Sequence, residues 1–333
     1  MPLRFSVLGA GSFGTTIAHL ATHNAPTTLW CRRAETAEEV NARHRNARYL
    51  PDYPLAESLR ATASLEEAVR EADVVVMGVP SHGMREVLGE VGRHIRPWVP
   101  VVSLAKGLEP GTHLRMTEVI REVLPDHRAG VLTGPNLAKE IMAGYAAASV
   151  VAFEDREVAR QLQGVFHSGL FRVYTNHDVV GCELGGALKN VIAIATGMGD
   201  GLGVGDNTRS AVITRGLAEL IRLGVAMGGE AATFAGLTGM GDLIATCTSR
   251  QSRNRHVGEQ LGQGRKIDEI IAEMNQVAEG VKTTRVVMEL GVKHDVELPI
   301  AREVYGVLYE ERTARDAYRG LTRHDPGAEN EPA

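Results

Sequence analysis

Short apolar runs alternate with amphipathic stretches through the first half of the chain. Most of these runs are continuous rather than alternating, which is typical of parallel strands that are covered on both faces. The predicted strands are Leu3–Leu8, Thr27–Cys31, Val74–Val79, Pro100–Ala105, Gly130–Thr133 and Ala147–Ala152. The predicted helices between them are Gly14–His23, Ser64–Glu71, His82–His94 and Thr112–Leu124. This alternation predicts an α/β fold with a doubly wound parallel sheet.

The pattern changes at about residue 180. Later segments repeat apolar residues every three to four positions, with glycine-rich loops between them and no strand pattern. The predicted helices are Val179–Thr196, Thr208–Met227, Asn254–Leu261, Ile267–Met274, Thr283–Leu290 and Ala301–Glu311. We therefore expect an α/β domain over residues 1–180, an all-α C-terminal domain over 181–322 and a polar tail over 323–333.

The composition is that of a globular protein with a slightly acidic surface. Of 333 residues, 44% are hydrophobic and 23% are charged, and the formal net charge is −5. Such a charge does not favour general binding to nucleic acid or to a membrane surface. No apolar run reaches the roughly 18 residues that a membrane helix needs, and a strand predicted from Leu3 leaves no room for a removable signal peptide. We expect a cytoplasmic protein with no integral membrane segment and no nucleic-acid partner.

Cysteine and lysine are both scarce. Cys31, Cys182 and Cys247 are too widely spaced to suggest a disulfide framework or a zinc site, so we expect buried free thiols and no metal. Only six of the 36 basic residues are lysines. An amine, unlike a guanidinium, can lose its proton near neutral pH. A lysine in an apolar or glycine-rich setting is therefore a functional candidate in this chain.

A glycine pattern follows the first predicted strand. Gly9, Gly11 and Gly14 form G-x-G-x-x-G, with Ser12 and Phe13 between the last two glycines. The first glycine permits a tight turn, the second lets a pyrophosphate approach the backbone, and the third lets helix and strand pack closely. The helix N-terminus adds N–H groups and a positive dipole for the anion. At the start of a βαβ unit, this pattern predicts a Rossmann-type domain that binds a dinucleotide.

The end of the second predicted strand bears on the choice of dinucleotide. An NAD site usually places a carboxylate there for the ribose 2′-hydroxyl, whereas this chain has Arg32 and Arg33. Two guanidiniums suit a 2′-phosphate, so NADP(H) is expected to be accepted beside or instead of NAD(H). Alternatively, the two arginines are solvated loop charges that Glu35, Glu38 and Glu39 neutralise.

A glycine-containing segment of the second half carries the main catalytic candidate. Gly181–Ala195 is predicted to be helical, and Lys189 lies beside its apolar stripe. One interpretation is a surface lysine whose stem covers apolar surface. The other is a buried amine that exchanges a proton with an alcohol oxygen during hydride transfer. The scarcity of lysine and the dinucleotide loop upstream favour the second interpretation. The stripe consists of Leu184, Leu188, Val191, Ile192 and Ala195.

Four further segments offer polar groups. Lys106 follows a predicted strand at its carboxyl end, where ligands bind in open α/β sheets. Gly134–Glu140 is typical of a strand-to-helix turn, and Gly236–Leu243 of an apolar, flexible loop with one carboxylate, Asp242. Gln251–Arg255 predicts a helix start with a serine N-cap, free N–H groups and guanidiniums. That combination suits a phosphate monoester, although it also fits a capped helix start in solvent.

Together these segments resemble bacterial sn-glycerol-3-phosphate dehydrogenases that use NAD(P)+. The ordered set is more specific than any one motif, and it covers residues 3 to about 310. Its members are GAGSFGTT near residue 9, Ser103–Leu108, Gly134–Glu140, Phe171–Tyr174, Leu184–Ala195, Asn207–Glu219, Gly239–Leu243, Cys247–Arg255 and Val277–Thr283.

The resemblance implies the reversible conversion of dihydroxyacetone phosphate and sn-glycerol 3-phosphate, a precursor of phospholipids, by a homodimer. It implies Lys189 as proton donor and acceptor, and in the expected mechanism Asp242 orients either Lys189 or a substrate hydroxyl. The implied substrate residues are Lys106, Gly134, Asn136, Lys189, Asp242, Ser252, Arg253 and Asn254. The implied dinucleotide residues are Ser12, Phe13, Arg32, Arg33, Lys106, Ala138, Arg253, Val277 and Glu279. Phe13 and Asn136 depart from the family pattern, because relatives often carry Tyr or Trp and Thr at these positions.

Two other functions fit parts of this pattern. A related β-hydroxyacid or polyol dehydrogenase would share the dinucleotide loop and would hold a carboxylate in the anion site. A binding protein that senses dinucleotides would bind the cofactor without turnover, and the motifs beyond the glycine loop disfavour it.

Overall fold

Eight strands form one sheet in the first part of the chain. They are β1 (Phe5–Leu8), β2 (Thr27–Trp30), β3 (Arg60–Thr62), β4 (Val74–Met77), β5 (Val101–Ser103), β6 (Ala129–Thr133), β7 (Ala147–Ala152) and β8 (Phe171–Asn176). Their spatial order is β3-β2-β1-β4-β5-β6-β7-β8, and every neighbouring pair is parallel except β6 and β7. The predicted Rossmann-type fold is confirmed, with the antiparallel β6–β7 pair as a correction to an all-parallel sheet.

The structure, a computed structural model, describes residues 3–274 and 278–321. It divides into two compact units, Met1–Glu183 and Leu184–Ala333. The predicted polar tail over 323–333 and the predicted cofactor residue Val277 lie outside the described residues.

Helices connect the strands of the first unit and cover both faces of the sheet. They are α1 (Ser12–Ala21), α2 (Ala34–Arg43), α3 (Leu65–Val69), α4 (Met84–Val91), α5 (Met116–Val123), α6 (Ala138–Met142) and α7 (Arg156–Phe166). Because side chains alternate along a strand, β1, which is buried at all four positions, contributes to two cores. Phe5 and Val7 pack in one core, where the Phe5 ring meets the Phe166 ring edge-on at 5.6 Å between centroids. Leu8 packs in the other core, with Met77 and Leu88.

Two strands, β3 and β8, were not predicted because they lack a continuous run of apolar residues. In β8, Phe171 and Val173 are buried while Arg172 and Tyr174 are exposed, as expected for an edge strand with one wet face. The strand at the opposite edge, β3, has only three residues. Such strands are defined by the neighbour they pair with and carry a weak local signal.

The second unit is helical over its described residues. Its helices are α8 (Val179–Leu202, which begins in the first unit), α9 (Asp206–Ala226), α10 (Ala231–Phe234), α11 (Asp242–Thr248), α12 (Arg253–Gly262), α13 (Ile267–Glu273), α14 (Glu279–Lys293), α15 (Pro299–Tyr309) and α16 (Ala314–Leu321). Across residues 184–274 and 278–321 no strand occurs, as predicted for an all-α second half.

Glycines let α8 and α12 cross with their backbones in contact. A Cβ on Gly197 would lie 2.0 Å from the carbonyl oxygen of Arg255, and a Cβ on Gly258 would lie 2.0 Å from that of Ile194. No side chain larger than hydrogen fits at either position. This crossing places the polar N-terminal turn of α12 beside the middle of α8, where Lys189 lies.

The long helix α8 is apolar enough to resemble a membrane span by length and composition alone. Within the described part of the chain it is the one helix of that kind, and 94% of its apolar window is buried inside the protein. Burial of that extent is typical of an internal helix. Glu183, Lys189 and Asp200 interrupt its apolar sequence.

The three cysteines are free and buried, as predicted. Burial raises the pKa of the Cys31 thiol to about 12 and that of the Cys247 thiol to about 11. Neither thiol is therefore a thiolate nucleophile near neutral pH.

Candidate active site

Lys189 is buried in the middle of α8, with 4% of the residue exposed. Its Nζ donates hydrogen bonds to Oδ1 of Asp242 and, at 2.5 Å, to Oγ1 of Thr246. The side chains of Lys189 and Asp242 are 5% and 3% exposed, so the two charges form a buried ion pair. A surface lysine is therefore the wrong interpretation of this residue. Burial of a charge costs free energy, and an ion pair with additional hydrogen bonds offsets part of that cost.

The segment that carries Asp242 is helical, so the prediction of a flexible loop over Gly236–Leu243 is wrong. Leu237–Gly241 forms a single π-helical turn, and α11 continues directly from it with Asp242 as its first residue. A Cβ on Gly185 of α8 would lie 2.7 Å from the carbonyl oxygen of Thr238. The glycine in α8 thus lets the π-turn pack against the helix backbone, and this contact brings Asp242 to Lys189.

Thr246 completes this group, and the sequence analysis missed it. It lies four residues after Asp242, one turn later on the same face of α11. Its hydroxyl donates to the carbonyl oxygen of Asp242 at 2.6 Å and accepts from Lys189. The available signal was the i, i+4 spacing of two polar residues in a helix, which becomes visible only once the segment is known to be helical.

The next residue on α8 joins three helices. Asn190, 5% exposed, accepts a hydrogen bond at 2.8 Å from Nδ2 of Asn254 in the first turn of α12. Oδ1 of Asn254 accepts from the backbone N–H of Gly280 in α14 at 3.0 Å. The amide of Asn254 therefore fixes the N-terminal turns of α12 and α14 beside α8. The predicted cofactor residue Glu279 is the first residue of α14.

The start of α12 is capped as predicted. Ser252 is the N-cap, and its hydroxyl accepts from the backbone N–H of Arg255 at 3.2 Å. The two guanidiniums differ in their surroundings. Arg253 is exposed, whereas Arg255 pairs with Asp200 at 2.6 Å. Arg255 thus stabilises the packing of α12 on α8.

In the first unit, the three glycines of the G-x-G-x-x-G pattern are present for different physical reasons. Gly9 has φ +122, and a Cβ there would lie 2.6 Å from the carbonyl oxygen of Gly78. A Cβ on Gly14 would lie 2.1 Å from the carbonyl oxygen of Gly9. Gly11 differs, because a Cβ there would meet no heavy atom within 4 Å. The protein itself requires Gly9 and Gly14, while the space at Gly11 fits the approach of a pyrophosphate to the helix N-terminus.

A buried asparagine holds this loop from outside. Nδ2 of Asn46, a residue with no exposed surface, donates at 2.9 Å both to the carbonyl oxygen of Ala10 and to Oγ1 of Thr15. The neighbouring hydroxyl of Ser12 lies 3.4 Å from the carbonyl oxygen of Tyr49. Phe13 is half-buried against the core of the same face. The segment after α2 therefore supports the glycine loop, a role that the sequence analysis did not identify.

Arg32 and Arg33 are exposed just after β2, and Arg33 is the N-cap of α2. The structure gives no ion pair between these arginines and Glu35, Glu38 or Glu39 in the ranges it describes. The alternative in which these glutamates neutralise the two arginines therefore has no ion pair to support it.

The carboxyl ends of β5 and β6 bring Lys106 and the turn after β6 together. Nζ of Lys106 donates to the carbonyl oxygen of Gly134 at 2.7 Å. Gly134 has φ +138, which disfavours any other residue there. Asn136 follows in the same turn, and Ala138 is the first residue of α6.

Two family models match most of the chain. The N-terminal model of NAD-dependent glycerol-3-phosphate dehydrogenase matches residues 4–159, and the C-terminal model matches residues 178–319. This chain belongs to the NAD-dependent glycerol-3-phosphate dehydrogenase family. The predicted family, its oxidoreductase class and its use of a nicotinamide dinucleotide are confirmed.

Individual members of the family are similar to this chain over nearly the whole of both sequences. The chain is 61% identical over 332 residues to glycerol-3-phosphate dehydrogenase [NAD(P)+] 2 of Sphingopyxis alaskensis, with all of both chains covered. It is 58% identical to the Mycobacterium avium enzyme of that name, with 97% of this chain and 95% of the relative covered. A crystal structure of glycerol-3-phosphate dehydrogenase from Coxiella burnetii superposes with a TM-score of 0.92 at 36% identity, over 97% and 99% of the two chains.

Dehydrogenases and reductases outside this family resemble the chain in fold alone. A ketopantoate reductase from Ralstonia eutropha superposes with a TM-score of 0.61 at 15% identity, over 97% of this chain and 100% of that chain. A fold shared at such identity does not carry a substrate with it. The comparisons therefore support the glycerol-3-phosphate dehydrogenase interpretation over the related β-hydroxyacid or polyol dehydrogenase.

Substitution of Gly11 by alanine tests the glycine loop of this family member. Because a methyl group there meets no protein atom, Gly11→Ala should unfold at the wild-type temperature. It should bind NADH and NADPH at least about tenfold more weakly, because the methyl group occupies the path of the pyrophosphate. Titration by nucleotide fluorescence measures the affinity, and circular dichroism measures the unfolding.

Gly89→Ala is the matched control, since Gly89 lies in α4 and a Cβ there would also meet no heavy atom within 4 Å. Its nucleotide affinity should equal that of the wild type. Wild-type affinity in Gly11→Ala would show that the pyrophosphate does not approach the loop at this glycine.

Proposed function

We propose that this chain interconverts dihydroxyacetone phosphate and sn-glycerol 3-phosphate with NAD(P)H and NAD(P)+, and that Lys189 exchanges the proton. The observation that carries this proposal is the buried Lys189–Asp242–Thr246 group in a chain that matches one dehydrogenase family over residues 4–159 and 178–319. A fixed, buried amine with a defined hydrogen-bond environment suits general acid–base catalysis.

In the direction of reduction, the chemistry that NAD(P)H would supply when bound is a hydride for the carbonyl carbon of the substrate. Lys189 then donates a proton to the oxygen on that carbon as negative charge develops there. In the reverse direction Lys189 accepts the proton of the alcohol. Asp242 keeps the amine in place and compensates its charge, and Thr246 fixes its direction by accepting a second hydrogen bond.

The phosphate of the substrate is assigned to the start of α12. Ser252, Arg253 and Asn254 form the N-cap and first turn of that helix, where the N–H groups of a helix start and the helix dipole favour an anion. Lys106, Gly134 and Asn136 form the second group of substrate residues. The two ends of the substrate thus meet different chemistry, an amine for the reacting oxygen and a helix terminus with a guanidinium for the phosphate.

The exposed Arg32 and Arg33 are assigned to the dinucleotide. Their position after β2 is where a 2′-phosphate would lie, so NADPH is accepted as well as NADH. Ser12, Phe13, Ala138, Glu279 and Val277 complete the proposed dinucleotide residues, with Arg253 and Lys106 shared between dinucleotide and substrate.

In the cell, we assign the product to glycerophospholipid synthesis, and the protein to the cytoplasm as a homodimer. The family supports the first of these assignments, because sn-glycerol 3-phosphate is the backbone of glycerophospholipids. The net charge of −5 is consistent with a protein that does not bind membranes by charge.

Replacement of Lys189 by methionine tests the proton transfer. Lys189→Met should lower kcat for reduction of dihydroxyacetone phosphate by about 10²–10⁴-fold, the usual contribution of general acid–base catalysis. The dissociation constant for NADPH should change little. Steady-state kinetics and fluorescence titration measure the two quantities. Lys293→Met, which removes an exposed lysine at the end of α14, should keep wild-type kcat.

Lys189→Met leaves the Asp242 carboxylate buried without its counter-ion, and this can impair folding. A second variant therefore removes both charges. The double variant Lys189→Met/Asp242→Asn carries no charge at this position and should show the same loss of kcat. Wild-type turnover in either folded variant would exclude Lys189 as the proton donor.

Replacement of Arg253 tests the phosphate assignment. Arg253→Ala should raise KM for dihydroxyacetone phosphate by about 10–100-fold, the equivalent of one charged hydrogen bond. With unphosphorylated dihydroxyacetone at saturating NADPH, which removes any effect of Arg253 on dinucleotide affinity, kcat/KM should be unchanged. Arg250→Ala removes the same charge three residues earlier, outside the helix, and should have little effect on either substrate. Equal losses with both substrates in Arg253→Ala would contradict a phosphate contact.

A further inference from the structure

The turn after β6 contains a chain of side-chain hydrogen bonds that the proposed mechanism does not use. Ser149, a residue of β7 with no exposed surface, has its Oγ 2.9 Å from the carbonyl oxygen of Thr133. The same Oγ lies 3.1 Å from Nδ2 of Asn136. Ser149 therefore connects the end of β6 to the side chain of a proposed substrate residue.

The chemistry of the hydroxyl fixes the orientation of the amide. A carbonyl oxygen can only accept, so Ser149 must donate its one proton to Thr133. Its Oγ can then only accept from Asn136, and the amide must turn its NH₂ group toward Ser149. The carbonyl oxygen of the Asn136 side chain consequently points the other way.

That oxygen has no partner. Oδ1 of Asn136 is buried and makes no hydrogen bond to any residue that the structure describes, and the same holds for Oγ1 of Thr133. A buried acceptor without a donor costs free energy unless a ligand supplies the donor. The orphaned oxygen lies in the turn whose Gly134 carbonyl holds Nζ of Lys106.

We propose that Ser149 is a positioning residue for substrate recognition: it holds the Asn136 amide so that Oδ1 accepts a hydrogen bond from the free hydroxyl of the substrate. This inference rests on the proposed function. In dihydroxyacetone phosphate the phosphate dianion and the ketone oxygen are acceptors, and the hydroxyl on the carbon next to the ketone is the one donor. If the amide had the opposite orientation, its NH₂ group would face the substrate hydroxyl. An NH₂ group can donate to any acceptor, so it would not select a substrate group that donates a hydrogen bond.

The direct test compares dihydroxyacetone phosphate with acetol phosphate, which lacks this hydroxyl. The wild type should show a higher kcat/KM for dihydroxyacetone phosphate than for acetol phosphate. Where acetol phosphate turns over too slowly, the preference is measured by comparing the inhibition constant of acetol phosphate with the KM of dihydroxyacetone phosphate. Ser149→Ala should reduce that preference about tenfold, the equivalent of one hydrogen bond, mainly through KM. Affinity for NADPH should be unchanged. Ser149→Thr, which keeps the hydroxyl, should retain the preference.

Ser6→Ala is the matched control. Ser6 is a buried serine of β1 in the same sheet, and its hydroxyl has no hydrogen-bond partner within the described ranges. This variant should keep both the preference and KM, so that a general effect of a serine-to-alanine change in the sheet is separated from an effect on the amide.

A double-mutant cycle separates positioning from a structural role. Asn136→Ala removes the amide and should reduce the preference by itself, which keeps the proposal testable even where Ser149→Ala folds poorly. In the Asn136→Ala background, Ser149→Ala should cause no further reduction. An unchanged preference in folded Ser149→Ala, or an equal further reduction in that background, would overturn the proposal. A wild-type protein that reduces neither compound would instead overturn the proposed function.

Discussion

The buried ion pair between Lys189 and Asp242 is the interaction on which the helical unit is organised. Two charges at 5% and 3% exposure are tolerable only when each is matched closely. Close contact between the backbones of neighbouring helices brings the matching groups together. Gly185 admits the π-turn before α11, and Gly197 and Gly258 admit α12 against α8. Each glycine costs helix stability, about 1 kcal/mol relative to alanine, and is retained because a side chain would push the charged or polar partner away from α8.

The same principle operates at the dinucleotide loop, with one difference. Gly9 and Gly14 are required by contacts inside the protein, whereas Gly11 leaves room that the protein does not fill. What a Cβ would meet therefore distinguishes glycines that the packing of the protein requires from glycines, such as Gly11, that it does not require. Buried polar side chains support two of the loops: Asn46 holds the glycine loop, and Ser149 holds the Asn136 amide in the turn after β6.

Features carried by local pattern were predictable from the sequence. The glycine loop, the buried strand β1, the apolar stripe of α8 and the serine cap of α12 each depend on residues within a few positions of one another. Contacts between distant residues were not predictable from local pattern, and only the family resemblance suggested that Asp242 orients Lys189. Asp242 lies 53 residues from Lys189 and Thr246 lies 57 residues away, and the π-turn that joins them has the composition of a loop. Likewise the edge strand β8 is defined by its pairing with β7, and the orphaned oxygen of Asn136 follows from a serine 13 residues later.

Chemical rescue tests the role of the amine most directly. Lys189→Ala removes the amine and leaves a cavity beside Asp242 and Thr246, where a small primary amine can bind. If Lys189 supplies the proton, added methylamine or ethylamine should restore reduction of dihydroxyacetone phosphate with saturable dependence on amine concentration. The restored rate should vary with the basicity of the amine, as general acid catalysis requires. A folded Lys189→Ala protein that turns over at the wild-type rate without added amine would contradict the account.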